Sequence, residues 1–306
     1  MSEIRYIKWK NLDGIQIENA WIRAVILPDL GGKIASVCYK KRQFEFAAQY
    51  RGEVYRLPGL DADFSDYDAA GLDDAFPNIV KAEVSCGGKE KVLYPDHGEI
   101  WSSRFSHRIR EDGVELYCKS SRFAYRYRKR IALTDSGLTL SYEIENEASE
   151  PLPCLWAFHG LARYEKDMEL FYPENIQGFE NVLCSPELGE AGRHYGPDGS
   201  GYDFGRMPGD GTMVKYYVGH KLAEGHCGYR YPSQGVECLL EYDASKLPYL
   251  GVWITTGGYR GDCNCALEPA SGYYDDIRIA AENNSLCMLE KGKPFVFSIA
   301  IKFREI

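Results

Sequence analysis

Three consecutive segments decide the fold: Val114-Glu-Leu-Tyr-Cys-Lys119, Phe123-Ala-Tyr-Arg-Tyr-Arg-Lys-Arg-Ile-Ala-Leu133 and Leu138-Thr-Leu-Ser-Tyr-Glu-Ile-Glu-Asn146. Apolar and polar side chains alternate along each segment, which is the pattern of a β-strand with one buried and one solvated face. A turn at Asp135-Ser-Gly137 joins the last two segments. The sequence therefore predicts three neighbouring antiparallel strands.

Strand patterns continue on both sides of this region. Residues 20–27 and 33–39 flank Pro28-Asp-Leu-Gly-Gly32, whose glycines permit the positive φ of a tight turn, and they predict an opening hairpin. Later strands are predicted at Met213–Val218, Val236–Tyr242, Tyr249–Thr256, Cys263–Glu268 and Phe295–Phe303. No helix longer than about two turns is predicted, and composition does not change along the chain. We therefore expect an all-β fold with one domain over residues 1–306.

Composition and charge restrict the class of partner. The 306 residues are 44% hydrophobic, which is enough for a sizeable core, and the formal net charge is −9. Nucleic acids and anionic membranes require basic patches, so we expect neither as a partner and favour a small, neutral substrate. The basic residues at 126–130 alternate along a strand and face Glu143 and Glu145, which predicts a solvated, charge-paired sheet face. The 23 Tyr and 13 Phe residues also suit a carbohydrate site, because aromatic rings stack on sugars.

Ten cysteines are scattered along the chain, at positions 38, 86, 118, 154, 184, 227, 238, 263, 265 and 287. The chain opens with the polar Met1-Ser-Glu-Ile-Arg5, so we expect free thiols in a cytoplasmic protein and no disulfide framework. Cys263 and Cys265 would share one face of a strand with no second pair nearby, so no metal site is expected. No apolar run approaches the ~20 residues of a membrane span.

Three short segments place a titratable side chain among apolar or aromatic residues: Pro95-Asp-His97-Gly-Glu-Ile-Trp101, Pro151-Leu-Pro-Cys-Leu-Trp-Ala-Phe-His159 and Cys263-Asn-Cys-Ala-Leu-Glu268. The motifs of Rossmann and P-loop nucleotide sites, zinc proteases and α/β-hydrolases are missing. The three segments are therefore the candidates for chemistry.

His159 and Glu268 are the strongest of these candidates. His159 follows an apolar run that predicts a buried strand, and a histidine there is more often a structural core residue when considered alone. Glu268 ends an apolar strand, and Pro269 is expected to stop the pairing and aim the carboxylate into a cleft. Such a half-buried carboxyl has a raised pKa, as a general base requires, whereas a strand-end glutamate in solvent is the simpler alternative.

Residues 47–78 lack a sustained period and are rich in Gly, Asp and aromatic residues. A long stretch of this kind is often a functional loop. It contains adjacent carboxylates, Asp73 and Asp74, which we hypothesise to bind substrate hydroxyls at the rim of a site, with a plain loop role as the alternative. Residues 185–212, rich in Gly, Pro and Asp, are predicted to form a second excursion.

Taken together, these segments resemble the aldose 1-epimerases, or galactose mutarotases. The shared features are, in chain order, His97-Gly98 with Trp101, Asn146 with Pro151 and Pro153, Phe158-His159, and Leu267-Glu268-Pro269. The resemblance extends over nearly the whole chain. It implies a large antiparallel β-sandwich, the galactose mutarotase-like supersandwich, with an open sugar cleft.

The resemblance also implies an isomerase that interconverts the α and β anomers of a sugar, with no cofactor. Glu268 would take the proton of the anomeric hydroxyl while His159 protonates the ring oxygen, so that the ring opens and recloses from the other face. His97 would bind the sugar near its ring oxygen, and Trp101 would form a wall. The expected pH profile is bell-shaped, with its acid limb set by Glu268 and its alkaline limb by His159.

The sequence departs from the galactose-specific members of that family. No Asn-Arg pair precedes the first histidine, and Gly71-Leu-Asp-Asp74 stands in that region. No sugar-binding aspartate can be assigned between His159 and Glu268. The resemblance is therefore to a divergent branch, and the sugar stays unassigned.

Two alternative functions and a homodimer stay open. One is an epimerase of sugar phosphates, for which the candidate cations are Arg163, Arg193 and Arg260. The other is a non-catalytic carbohydrate-binding protein on the same fold, which would have no need of an acid and a base.

Overall fold

The computed structural model describes residues 2–84 and 91–306. Its strands, numbered in chain order, are β1 Glu3–Trp9, β2 Leu12–Glu18, β3 Ile22–Leu27, β4 Lys33–Tyr39, β5 Phe44–Glu45, β6 Leu72–Ala75, β7 Ala82–Val84, β8 Val92–Tyr94, β9 Ser106–Arg110, β10 Gly113–Lys119, β11 Tyr125–Leu133, β12 Gly137–Asn146, β13 Leu152–Cys154, β14 Ala157–Gly160, β15 Ala162–Arg163, β16 Glu169–Phe171, β17 Phe179–Asn181, β18 His194–Tyr195, β19 Met213–Val218, β20 His226–Tyr231, β21 Val236–Tyr242, β22 Tyr249–Tyr259, β23 Asp262–Ala270, β24 Cys287–Leu289 and β25 Phe295–Glu305. An α-helix, α1, spans Ile277–Glu282, and short 3₁₀ helices lie at Lys40–Arg42, Phe64–Asp66, Ile100–Ser102, Gly199–Gly201 and Pro232–Gln234.

Two large sheets form the sandwich. The larger has the strand order β1-β2-β3-β4-β6-β14-β23-β22-β19-β17-β18, with β15 also on β23 and β5 on β4. The smaller has the order β16-β20-β21-β25-β12-β11-β10-β9. The strands within both sheets pair in antiparallel register. The predicted all-β class and antiparallel sandwich are confirmed.

The predicted strands of the smaller sheet lie where the alternation indicated. β11 and β12 pair so that Arg126 lies opposite Glu145 and Arg128 opposite Glu143, and both pairs form ion pairs on the solvated face. The intervening residues Tyr125 and Tyr127 point into the core, where their side chains are fully buried. The charge-paired outer face is therefore confirmed.

Lys129 is the exception in this basic run, because it lies on the inward face of β11. Its ammonium group is fully buried and lies 2.9 Å from the carboxylate of Asp74, which belongs to β6 of the larger sheet. The hydroxyls of Tyr142 and Tyr127 also donate to Asp74, over 2.9 Å and 3.2 Å. These contacts join the two sheets through one ion pair in the middle of the core.

Two local predictions are wrong. Residues 72–75 are not part of a loop, because they form β6, a fully buried strand between β4 and β14. Pro269 does not end the strand that contains Glu268, because β23 continues to Ala270 and Pro269 still lies opposite Leu250 of β22. Residues 72–75 and Glu268 thus lie within the larger sheet and not at its edge or in a loop. The candidate site residues are therefore more buried than the sequence indicated.

The nine cysteines among the described residues are all free, as predicted, and Cys86 lies outside those residues. Within the same ranges, no helix has the length and apolar character needed to cross a bilayer.

Replacing Lys129 by Met is expected to lower the free energy of unfolding by about 3–5 kcal/mol, because the carboxylate of Asp74 would stay buried without its cation. Arg128→Met is the matched control on the same strand. Its exposed ion pair with Glu143 contributes at most about 1 kcal/mol. Urea unfolding of both variants measures the difference, and equal losses would contradict the structural role assigned to the Lys129 pair.

Candidate active site

A cavity of about 200 Å³ opens on the face of the larger sheet where β14, β23, β22 and β19 lie side by side. Its lining residues are Phe64, Ala69, Ile79, Val80, His97, His159, Leu161, Lys215, Trp253, Tyr259, Glu268 and Asp275. Sites for drug-sized ligands are usually larger, at about 300–1,000 Å³. The cavity therefore suits a small ligand of about one sugar ring.

His97, His159 and Glu268 all line this cavity, as the sequence predicted. The imidazole rings of His97 and His159 are 5.1 Å apart, centroid to centroid. Phe64 contacts both rings: it stacks on His97 at 4.1 Å and meets His159 nearly at right angles at 5.1 Å. One small ligand can thus reach all three titratable groups.

Strand register explains why His159 and Glu268 meet although 109 positions separate them in the sequence. Ala157 lies opposite Ala270, and Ala162 lies opposite Cys265, both in the same register. That register places His159 opposite Glu268. Side chains at directly opposed positions share one face of the sheet, with Cβ atoms about 4.5–5.5 Å apart.

His97 reaches the cavity from a turn that requires glycine at the next position. His97 itself has φ of 55°, and Gly98 follows with φ of 73°. A Cβ on residue 98 would lie 2.1 Å from the carbonyl oxygen of Phe76, so only glycine fits. The Nδ1 atom of His97 is 3.0 Å from Asp96, which orients the ring. This local geometry accounts for the His-Gly pair in the sequence.

Glu268 is almost fully buried, and its counter-charge is Lys215. The Lys215 ammonium lies 3.1 Å from the carboxylate of Glu268 and 3.1 Å from that of Asp275, which also accepts a 2.7 Å hydrogen bond from Tyr217. Burial raises the pKa of Glu268, and Lys215 opposes part of that rise. The carboxyl group is thus desolvated enough to be a stronger base than a surface glutamate, while its charged form keeps one fixed cation.

Gly251 makes room for this arrangement. Gly251 belongs to β22, where it lies between Glu268 on the neighbouring strand β23 and Tyr217 on the other neighbour, β19. A Cβ at this position would lie 3.0 Å from Oε2 of Glu268 and 3.1 Å from the ring of Tyr217. A larger residue would therefore push the carboxylate away from Lys215.

His159 is a neutral imidazole. Burial lowers its pKa well below the ordinary value, and the charges of His97, Lys215 and Lys33 lower it further. Its Nδ1 atom is buried and has no hydrogen-bond partner within the described residues, so Nε2 is the nitrogen available to a ligand. The group can donate a hydrogen bond into the cavity, but it is not a cation at neutral pH.

Trp101, Asp73 and Asp74 are not among the cavity-lining residues. Trp101 is buried, donates from Nε1 to the carbonyl of Asp96 over 2.8 Å, and supports Phe64 at a ring distance of 5.1 Å. It therefore contributes to the wall indirectly, through Phe64.

The two aspartates lie inside the sheet. Asp73 is the cross-strand partner of His159 and lies on the same face, yet its carboxylate pairs with buried Lys33 at 3.0 Å, and burial raises its pKa to about 6. Asp74 points the other way, into the core, where Lys129 pairs with it. The structure thus corrects the picture of two carboxylates at a loop rim.

Sequence reasoning missed Lys215, Asp275 and Phe64. Lys215 stands in the strand Met213-Val-Lys-Tyr-Tyr-Val218, where a single lysine usually faces solvent. The apolar residues on both sides of Lys215 in the sequence could have indicated that both faces of β19 are buried. Within residues 2–84 and 91–306, no cluster of three His, Cys, Asp or Glu side chains could hold a metal ion.

Solved structures share this architecture. The Slr1438 protein from Synechocystis sp. PCC 6803 matches with a TM-score of 0.74 at 14% identity, over 98% of this chain and 99% of that one. A galactose mutarotase-like protein from Lactobacillus casei ATCC 334 matches at 0.71 and 18% identity, over 95% and 100%. One from Clostridium acetobutylicum matches at 0.71 and 15% identity, over 100% and 99%.

The fold is therefore the galactose mutarotase-like β-sandwich, which confirms the resemblance drawn from the sequence at the level of fold. No protein-family model matches the chain, and neither does any curated protein.

Replacing Lys215 by Met is expected to raise the pKa of Glu268 further, because the cation that opposes the effect of burial would be lost. The titration can be followed by the carboxyl ¹³C shift of Glu268, assigned by its absence in Glu268→Gln. Lys221→Met, an exposed lysine that does not line the cavity, is the control. An unchanged or lower midpoint in Lys215→Met would contradict the assigned electrostatics.

Proposed function

We propose that this protein is an isomerase that interconverts the α and β anomers of a free, uncharged aldose. The observation that carries the proposal is the placement of Glu268 and His159 directly opposite each other in a cavity of about one sugar ring. A base and a hydrogen donor on directly opposed strand positions can contact two neighbouring oxygens of one ring. The anomeric hydroxyl and the ring oxygen of an aldose are two such oxygens.

Ring opening needs one proton removed and one supplied. The Glu268 carboxylate accepts the proton of the anomeric hydroxyl, and the electron pair of that O–H bond forms the carbonyl at C1. The C1–O5 pair leaves with the ring oxygen, which takes the Nε2 proton of the neutral His159 imidazole. His159 is left as an imidazolate that hydrogen-bonds the new hydroxyl and recovers the proton when the ring closes. Rotation about C1–C2 and the reverse proton transfers then close the ring to the other anomer. His97 binds the sugar beside its ring oxygen.

The charges of the cavity favour a neutral sugar over a sugar phosphate. Lys215 is the cation at the cavity wall, and two carboxylates engage it. The three arginines considered from the sequence are absent from the cavity lining. Arg163 pairs with Glu165, Arg260 pairs with Asp262, and Arg193 lies over the ring of Tyr195. An anionic substrate would therefore meet a net negative wall.

The buried polar groups favour an enzyme over a binding protein. Keeping the Glu268 carboxylate and the His159 Nδ1 away from water costs free energy, because their hydrogen-bonding capacity is incompletely used. A site that only binds hydroxyls gains nothing from a desolvated base. A site that must remove a proton at neutral pH does gain from a desolvated base, because the raised pKa makes Glu268 a stronger proton acceptor.

Glu268→Gln and His159→Asn are each expected to lower kcat for anomer exchange by about 10²–10⁴-fold, with sugar affinity unchanged within about tenfold. The double variant should lose far less than the product of the two factors, because the groups act in one step. Glu143→Gln, on the solvated face, is the control. Exchange spectroscopy by NMR over a panel of free aldoses and sugar phosphates gives the rates, and near wild-type rates in either variant would leave the binding-protein alternative.

The pH profile of kcat/KM is expected to have an acid limb only. The rate rises as Glu268 loses its proton, at a pH above the ordinary glutamate value because the pKa is raised, and it stays level through neutral pH. The alkaline limb expected from the sequence is not expected near neutral pH, because burial lowers the pKa of His159 well below its ordinary value. A rate that falls again above the pKa of Glu268 would mean that His159 acts as imidazolium.

A further inference from the structure

β13 and β24 form a separate two-stranded sheet, in which two cysteines lie opposite each other. The antiparallel register pairs Cys154 directly with Cys287. Opposed residues in such a pair have Cα atoms about 4.5 or 5.5 Å apart, and both distances lie within the span of a disulfide, about 4.4–6.8 Å. In the described part of the chain, no other two cysteines occupy opposed strand positions.

The two thiols point to the same side of this small sheet, because side chains alternate along both strands. The first opposed pair, two leucines, is buried, and the second, Pro153 with Met288, is the more exposed. The third pair returns to the inner side, where Cys154 is buried and Cys287 packs against the core while staying partly exposed. The thiols are close enough to form a hydrogen bond with each other.

The surroundings of the two thiols differ. The hydrogen bond with Cys154 lowers the pKa of Cys287, burial acts in the opposite direction, and the charge of the exposed Lys246 lowers the pKa further. The contact with Cys287 and burial together raise the pKa of Cys154 well above its ordinary value. The thiolate is the nucleophile in thiol–disulfide exchange, and it must be accessible. Cys287 is therefore the thiol that reacts first, and Cys154 is the thiol placed to resolve the product.

This pair lies where two parts of the active-site region meet. Cys154 lies three residues before β14, the strand that contains His159. β24 follows residues 271–286, the segment that contains Asp275 of the cavity wall. The other end of that segment leaves β23, which already pairs with β14. A bond between Cys154 and Cys287 would therefore fasten both ends of residues 271–286 to the chain that leads to His159.

We propose that Cys154 and Cys287 are a reversible redox modification site, which forms an intramolecular disulfide by exchange with a low-molecular-weight disulfide such as oxidised glutathione. The Cys287 thiolate attacks one sulfur of oxidised glutathione, and one glutathione thiolate leaves. Sγ of Cys154 then attacks Sγ of Cys287, and the second glutathione leaves with the Cys154 proton. The two cysteines lose two electrons, which reduce one oxidised glutathione to two thiols. This site does not depend on the proposed function.

Peptide mapping of the wild-type protein tests this proposal. Oxidised glutathione is added to the folded protein at neutral pH, the remaining thiols are alkylated in urea, and the chain is digested with trypsin without reduction. Residues 131–163 and 279–291 are two tryptic peptides, and each contains a single cysteine. We expect to recover them joined to each other, and dithiothreitol to separate them. The oxidised protein is also expected to unfold at a higher urea concentration, because the bond constrains the unfolded chain.

Three variants test the order of the two steps. Cys154→Ser is expected to leave Cys287 as a stable mixed disulfide with glutathione, and Cys287→Ser to leave Cys154 unmodified because that thiol is buried. Cys184→Ser, which removes an exposed cysteine elsewhere, is the matched control and should form the bond at the wild-type rate. Recovery of the two wild-type peptides unjoined, or reaction of Cys154 at an undiminished rate in Cys287→Ser, would overturn the proposal.

Discussion

The carboxylate of Glu268 lies in the interior of a wide sheet, and a charge in that position must have a counter-charge within contact distance. Lys215 supplies it from β19, two strands away, and it can do so because Gly251 on the intervening β22 has no side chain in the path. Asp275 also pairs with Lys215, and the hydroxyl of Tyr217 donates to Asp275. The strand order β23-β22-β19 thus places Glu268, the glycine that leaves room for its carboxylate, and Lys215 on three consecutive strands.

Lys33 and Lys129 are buried and Lys215 is partly buried, and each of the three pairs with at least one buried carboxylate. The surroundings of Lys215 differ from those of the other two. Lys33 pairs with Asp68 and Asp73, and Lys129 pairs with Asp74 across the sandwich. The carboxylates of those two clusters are buried, and none of them lines the cavity that holds Glu268. The Lys215 cluster instead borders an opening, where its carboxylate faces His159. Buried ion pairs are weak evidence for stability alone, but a pair that borders a cavity keeps a base charged and desolvated at once.

Much of the fold and part of the site could be predicted from the sequence. Alternation along 113–146 defined β10, β11 and β12, and local context singled out His97, His159 and Glu268, because a titratable residue in an apolar strand is conspicuous. The pairing of β14 with β23 could not be predicted, since periodicity does not fix the register between strands more than 100 positions apart. The prediction for Asp74 was wrong for a related reason. Aspartate is uncommon in strands, and its partner Lys129 lies on the opposite sheet, so nothing near Asp74 in the sequence indicated a buried ion pair.

The proposed ring opening requires one sugar ring to lie between Glu268 and His159. A crystal structure of Glu268→Gln with the aldose that exchanges fastest would show this directly, because this variant is expected to keep its sugar affinity while exchange slows by about 10²–10⁴-fold. With this mechanism, the anomeric oxygen is expected within hydrogen-bond distance of the residue 268 side chain, at about 2.7–3.2 Å, and the ring oxygen at the same distance from Nε2 of His159. A sugar bound elsewhere, or with its anomeric oxygen turned away from residue 268, would contradict it.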